Sequence, residues 1–407
     1  MECGIVWIMA AEIEFLPQGT VTSPEGFFAG ATSAGINKRA TDKPDLAVLF
    51  SEAPYLAAAV FTTSKLKAAP VRFSQQRLKE RERFGAVVVN SGCANAYVGE
   101  QGLLDAAETA KLVSKGIGVE PEDVLVASTG IIGVPLPMEK IRAGVENIIL
   151  ARDGGNQLAR AIMTTDSFPK EAAVRVKEGD VEFTIGGAAK GSGMIHPDLA
   201  TLLCFITTDA AVEKDFLQKA LKKAIDASFN MISVDGDTSP NDMVLVMANG
   251  LAGSVSADAF EQALEKLCIY LAKRLASDGE GATRLIEMTV AGAANLSQAR
   301  VAAKAVVGSS LVKAAVYGAD PNWGRVMAAV GRSGAEVKEP EFDLYLGKIQ
   351  MVKAGKPIPF DKAAVIKLLK GKEVVFSANL NLGSGQATAW GCDLSHEYVT
   401  INSQYMT

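Results

Sequence analysis

The chain has 407 residues, 48% hydrophobic and 21% charged, the make-up of a globular protein with a large buried interior and room for two or three lobes. Its formal net charge of −5 comes from acidic and basic residues mixed along the chain, which leaves no footprint for a nucleic-acid backbone and no polybasic membrane patch. The 38 glycines follow no fixed period, so collagen-like and low-complexity readings are excluded.

The start, "MECGIVWIMAAEIEF", is apolar, but no basic residue precedes it and Glu12 and Glu14 interrupt its end. It reads as an N-terminal extension or an edge strand rather than a signal peptide. "GAVVVNSG" (85–92) and "DVLVAST" (123–129) read as buried strands running into turns. Between them, "LLDAAETAKLVSKG" (103–116) sets Leu103, Ala107, Ala110 and Val113 on one helical face, with Gly116 as a C-terminal stop. "KDFLQKALKKAIDASF" (214–229) repeats apolar residues at Phe216, Ala220, Ala224 and Ile225. "MVLVMANG" (243–250) is a strand. The clearest helix follows Ser256, an N-cap, and places Phe260, Leu264, Leu267, Leu271 and Leu275 on one stripe. Beyond residue 340, "FDLYLGKIQMVKAGK" (342–356) and "EVVFSANLNLG" (373–383) look like members of an antiparallel sheet, with a helix, "DKAAVIKLLKG" (361–371), between them. The mixture predicts an α/β or α+β fold of stacked sheets covered by helices. No run reaches the roughly 18 apolar residues a membrane helix needs.

The five cysteines (Cys3, Cys93, Cys204, Cys268, Cys392) are scattered and lack the spacing of a zinc or redox motif. They suit a reducing cytoplasm, where they act as small buried hydrophobes. Nucleotide-binding glycine motifs and the G-x-S-x-G elbow do not occur. His196 and His396, the only histidines, read as ordinary polar residues rather than metal ligands.

"GSGMIHPDLATLL" (191–203) is different. A threonine hydroxyl holds its proton too tightly to be a good nucleophile at neutral pH. Were Thr201 a chain end, its own α-amine, with an ordinary pKa of about 8, could take that proton. Reaching that state requires cutting Ala200–Thr201. The Thr201 hydroxyl attacks the Ala200 carbonyl, and water opens the resulting ester. Such a shift needs a hydroxyl after the bond, a small residue before it and a backbone that tolerates strain. Gly191, Gly193, Pro197 and Ala200 meet these needs. On the dipeptide alone, a β-branched residue starting the strand "TLLCFITTDA" is the better explanation of Thr201, since Ala-Thr pairs are common.

The segment resembles the self-cleaving region of the ornithine acetyltransferase family, the glutamate N-acetyltransferases of arginine biosynthesis. The resemblance runs through "PEGFFAGATSAGINK" (24–38), "NSGCANA" (90–96), "STGIIGVPLP" (128–137), "MTTDSFPK" (163–170), "DGDTSPND" (235–242), "SDGEGATR" (277–284), "GADPNWGR" (318–325) and "INSQYMT" (401–407) in the family's order. Asp198 and Leu199 depart from it, standing where an asparagine and a methionine are expected.

The resemblance implies acetyl transfer from N2-acetyl-L-ornithine to L-glutamate through an acetyl ester on Thr201. Thr129 and Gly130 would form the oxyanion hole, where fixed donors meet the developing charge. Thr164, Lys190, Thr201, Glu280, Asn402 and Thr407 would contact substrate, with Glu280 also supporting the Thr201 amine. "GADPNWGR", with Asp320, Asn322 and Arg325 around Trp323, would shape the site. No cofactor or metal is implied. Acetyl-CoA enters only as a second donor that some members accept, and no motif separates the two cases. An α chain (1–200) and a β chain (201–407) should form one intertwined unit with the site between them, assembled as an α2β2 heterotetramer in the cytoplasm. The alternatives are a related aminopeptidase or amidase giving the acyl group to water, and a non-catalytic binder of a small amino acid.

Overall fold

In the computed structural model, residues 11–37, 43–196 and 202–404 are described. Ala200, Thr201 and Thr407, together with Pro197, Asp198 and Leu199, lie outside the described residues. So does Cys3; the other four cysteines are free and buried.

Runs of small and β-branched residues dictate a buried strand layer. Leu46–Phe61, Arg83–Asn90, Val124–Ser128, Val181–Lys190, Leu203–Ala211 and Met243–Ser254 join a nine-stranded sheet among the described residues. The apolar start contributes its edge: Glu12–Phe15 pairs antiparallel with Lys170–Glu178. Strand order is not chain order. Leu203–Ala211 lies antiparallel to Val181–Lys190 on one side and parallel to Met243–Ser254 on the other. Met243–Ser254 in turn pairs antiparallel with Leu46–Phe61. Strands following residue 200 are thus held between strands preceding it.

Among the described residues, a second sheet of seven strands is built from the C-terminal half. It is mixed rather than antiparallel, correcting the expectation for the segments beyond residue 340. Glu373–Asn379 runs antiparallel to Asp343–Leu346 but parallel to Leu285–Ala293. The helix Lys362–Leu369, capped by Asp361, supplies the covered crossover that brings the chain back.

Helices join the layers. Ala257–Ser277 begins where Ser256 Oγ accepts the Ala259 N–H at 3.2 Å, and its expected stripe is fully buried. Gly187 lets the helix approach the first sheet closely, since an added Cβ would sit 3.0 Å from Leu271 Cδ1. One continuous core runs from Ile185 and Ile206 through Leu267 and Leu271 to Ile286 and Trp390. Lys214–Ala227 packs beside it, burying Leu217 and Leu221 where Phe216 is only half-buried.

The helix read at 103–116 spans Gln101–Ile117, and two details differ. Its stop is Gly118, in the left-handed conformation (φ 77°), rather than Gly116. Ala106 takes the buried position expected of Ala107, which is exposed. Among the described residues, no helix is long and apolar enough to cross a membrane.

Leu271 joins the helix layer to the first sheet, so Leu271→Ala should cost about 2–5 kcal/mol, the usual range for a leucine truncated in a rigid core. Urea unfolding of the two proteins measures it; a loss below the range would mean that the helix can settle into the gap.

Candidate active site

The cavity of about 370 Å³, where Val181–Lys190 ends and Leu203–Ala211 and Met243–Ser254 begin, gathers residues from both halves of the chain. Of the expected site residues, Thr129, Gly130, Thr164, Lys190, Glu280 and Asn402 all line it. Gly191 and Met194 line it from one side of the Ala200–Thr201 bond in sequence, and Leu202 and Leu203 from the other.

Thr129 follows the strand Val124–Ser128 and is fixed by its N–H donating to the Asn90 carbonyl at 3.0 Å. "NSGCANA" and "STGIIG" interlock here. Ser128 Oγ donates to Asn90 Oδ1 at 2.7 Å, Asn90 Nδ2 to the Cys93 carbonyl at 2.9 Å, and the Ala94 N–H to the Ile131 carbonyl at 2.9 Å. Gly130 has φ 129°, and a Cβ there would run into Gly92 and lie 2.6 Å from the Cys93 nitrogen. Only glycine fits that backbone, for reasons of both conformation and space.

Lys190 ends its strand, almost wholly buried, and its Nζ donates to Thr129 Oγ1 at 3.4 Å. Because the ammonium occupies an oxygen lone pair, the Thr129 O–H remains to donate elsewhere, as an oxyanion-hole donor must. Burial pulls Lys190 below the ordinary lysine range, and Asp166 pulls it back.

Beneath the cavity lies a charge network that the sequence did not reveal. Lys170 donates to Asp166 Oδ1 and to Asp278 Oδ2, both at 2.6 Å. Asp166 also accepts the Thr164 N–H at 3.0 Å and the Gly191 N–H at 2.7 Å. Asp278 accepts the Ser167 N–H at 3.0 Å and the Ser167 hydroxyl. Burial alone would raise the Asp166 pKa, but the Lys190 and Lys170 charges outweigh it and leave the group at about 2. Three loops are thereby tied together at the floor of the site.

Glu280 is clamped by its N–H donating to the Ser192 carbonyl at 2.9 Å, and its Oε2 accepts Asn402 Nδ2 at 2.8 Å. Gly193 leaves room for the Glu280 carboxyl, which a Cβ would strike. Asn402 rides on the helix His396–Gln404, held by Ser395 Oγ donating to the Gly281 carbonyl at 2.6 Å.

The segment 233–243 holds the chain on both sides of the predicted scission. Asp235 accepts the Met194 N–H at 2.6 Å and the Ile195 N–H at 2.9 Å, and the Val234 N–H donates to the Ile195 carbonyl at 2.7 Å. His196 Nδ1 and Ser233 Oγ are hydrogen-bonded at 2.9 Å. On the other side, the Met243 N–H donates to the Leu202 carbonyl at 2.9 Å. Met194 (φ 55°) takes a left-handed conformation that costs a non-glycine residue about 1–2 kcal/mol. The strain expected around the glycines includes this methionine, pinned by Asp235.

"GADPNWGR" does not line the cavity. Arg325 Nη1 donates to the Leu311 carbonyl at 2.9 Å and Asn322 pairs with Asp320, so this segment braces helices in the C-terminal half. Sequence reasoning also missed Asn241, whose Nδ2 donates to the Ala94 carbonyl at 2.6 Å and the Ser128 carbonyl at 2.8 Å. It bolts together the two loops that present Thr129 and Gly130.

Residues 28–407 match the ArgJ family. The arginine biosynthesis bifunctional protein ArgJ of Symbiobacterium thermophilum is 55% identical over 398 residues, covering 96% of this chain and 99% of that protein. The protein of the same name from Bacillus subtilis is 48% identical over 396 residues, covering 96% and 97%. Among solved structures, an ornithine acetyltransferase from Mycobacterium tuberculosis, complexed with ornithine, is 42% identical over 46% of this chain and 100% of its own, with a TM-score of 0.43.

Replacing Asp166 with asparagine leaves Lys170 and Lys190 buried with less compensating charge, and should cost about 3–5 kcal/mol. Because the folded carboxyl sits below its unfolded value of about 4, its stabilisation is full above that pH and is lost as pH falls toward about 2. Chemical denaturation across pH should show that acid-side loss in the wild type and a smaller one in Asp166→Asn; equal slopes would refute the assignment.

Proposed function

This chain belongs to the ArgJ family, and on that premise we propose that it is a glutamate N-acetyltransferase of arginine biosynthesis. It moves acetyl from N2-acetyl-L-ornithine to L-glutamate by a ping-pong path through acetyl-Thr201. What carries this reading is that six residues chosen from sequence, spread from Thr129 to Asn402, line one cavity.

The chain first cuts itself at Ala200–Thr201. The freed α-amine of Thr201 then takes the proton from the Thr201 hydroxyl as Oγ attacks the acetyl carbonyl of the donor. Negative charge collects on the carbonyl oxygen, where the Thr129 hydroxyl and the Gly130 N–H stabilise it. The same proton passes to the departing ornithine amine, leaving an acetyl ester. Glutamate attacks that ester in turn, and the hydroxyl is restored. Lys190 is suited to the carboxylate of either substrate, while Glu280, fixed by Asn402, is suited to the cationic end of ornithine. Thr164, through its N–H to Asp166, is tied to the same charged floor, and Thr407 completes the substrate contacts by resemblance.

The family match favours transfer over release to water by an aminopeptidase or amidase. The relatives' shared name, "bifunctional", supports a second activity; acetyl-CoA is the donor we assign to it, as co-substrate rather than resident cofactor. We further propose that the pieces 1–200 and 201–407 remain interlocked as α2β2 in the cytoplasm. Buried free thiols at Cys93, Cys204, Cys268 and Cys392 suit such a reducing compartment.

On a denaturing gel, the 42.7 kDa chain should resolve into two bands of about half that mass, each near 200 residues. Thr201→Ala should stay as one band and fail to transfer acetyl from acetylornithine to glutamate; full turnover in that variant would show that the nucleophile is misassigned. Omitting glutamate separates transfer from hydrolysis, since a hydrolase would release acetate without it.

A further inference from the structure

Two buried acceptors in the cavity wall have no part in the mechanism above. Asn241 is 5% exposed and Asp242 3% exposed, and both line the cavity. Neither Asn241 Oδ1 nor Asp242 Oδ2 accepts a hydrogen bond from any described residue. Their other polar atoms are engaged. Asn241 Nδ2 uses its two hydrogens on the Ala94 and Ser128 carbonyls, and Ser239 hydrogen-bonds the Asp242 carboxyl. A buried acceptor left unmet costs about 1–3 kcal/mol. Two of them on adjacent residues of the cavity wall therefore mark a place for a group with two N–H donors.

Chain connectivity indicates which group that is. The residue after Asp242, Met243, donates its N–H to the carbonyl of Leu202, and Met243 and Leu203 are register partners in the parallel ladder. Leu202 is bonded directly to Thr201, and neighbouring Cα atoms are about 3.8 Å apart. An amine at residue 201 is thus covalently tied to the strand start that pairs with Met243, the residue after Asp242, whereas the amine of a diffusible substrate has no such tie. The stoichiometry also agrees. A neutral amine has two N–H bonds and one lone pair. Giving both N–H groups to fixed acceptors leaves the lone pair as the part free to face the hydroxyl it must deprotonate.

Resting on the self-cleavage reading, we propose that Asn241 and Asp242 form the receptor for the α-amine of Thr201 after scission, as positioning residues that aim the base at the Thr201 hydroxyl. When the amine takes the hydroxyl proton, Asp242 also becomes a counter-charge for the ammonium, beside the support expected of Glu280. The charged groups around this corner are Lys190, paired with Leu203 one strand further along the sheet, with Asp166 and Glu280 beyond it. Before an ammonium forms, burial holds the Asp242 carboxyl well above the usual carboxylate range, opposed by Ser239 and Lys190.

The test compares Asp242→Leu and Asp242→Asn with the wild type in the full chain. A parallel set has residues 197–200 replaced by a protease sequence cut immediately before Thr201, so that a block in maturation does not hide the result. Asp242→Leu should lower kcat for acetyl transfer roughly 100-fold, the scale of a general-base contribution, with both KM values within about twofold. Asp242→Asn, which retains an acceptor, should recover most of that loss. Lacking the carboxylate that favours the ammonium, it should move the acid limb of the pH–rate profile to lower pH. Unchanged kcat in Asp242→Leu, with or without lower thermal stability, overturns the proposal. So does a change confined to KM, which would give Asp242 to the substrate's amine. A wild type that transfers no acetyl, or that has no free amine at Thr201, would instead fail the reading beneath it.

Discussion

Everything in this fold depends on the pairing of Leu203–Ala211 with Val181–Lys190 on one side and Met243–Ser254 on the other. Because Met243–Ser254 is also bonded to Leu46–Phe61, the chain on either side of residue 200 is woven into a single sheet. Every described ladder partner of Leu203–Ala211 lies on Val181–Lys190 or Met243–Ser254, so its place in the sheet does not depend on the bond proposed to break. The fold can therefore accommodate the proposed chain end beside the cavity, where an ordinary terminus would be loose.

That weave also sets the electrostatics. Lys190 lies where its strand meets Leu203, and Asp166, Lys170 and Asp278 beneath it are paired through two 2.6 Å contacts. Buried ion pairs of this kind contribute modest net stability, because desolvation offsets much of their attraction. What they provide here is position. The loops 164–167, 190–192 and 278–280 converge on the same carboxylates and ammonium, so Thr164, Lys190 and Glu280 cannot move independently.

Much of this was legible in the sequence, for identifiable reasons. The Ser256-capped helix could be read because cap and apolar stripe agree. Thr129, Gly130, Lys190, Glu280 and Asn402 could be placed because their motifs occur in a recognisable order. The errors have equally local causes. Gly116 and Gly118 are both plausible stops, and only the left-handed turn at Gly118 closes on Ser114. That helix begins two residues earlier than its apolar pattern suggests, and Ala106 rather than Ala107 is buried. The segments beyond residue 340 alternate like antiparallel strands, but periodicity cannot report that one neighbour runs parallel. The Asp166–Lys170–Asp278 network joins residues more than a hundred positions apart, and the open acceptors of Asn241 and Asp242 depend on which atoms other loops already satisfy. Neither has a signature in local sequence.

The account centres on Thr201 as a chain-end nucleophile bearing its own proton acceptor. Mass spectrometry of enzyme quenched during turnover on acetylornithine, with glutamate omitted, tests this most directly. It should find two polypeptides, the second beginning at Thr201 and carrying one acetyl group as an ester on that residue. Active enzyme with an unbroken backbone, or an acetyl group held on any other side chain, would contradict it.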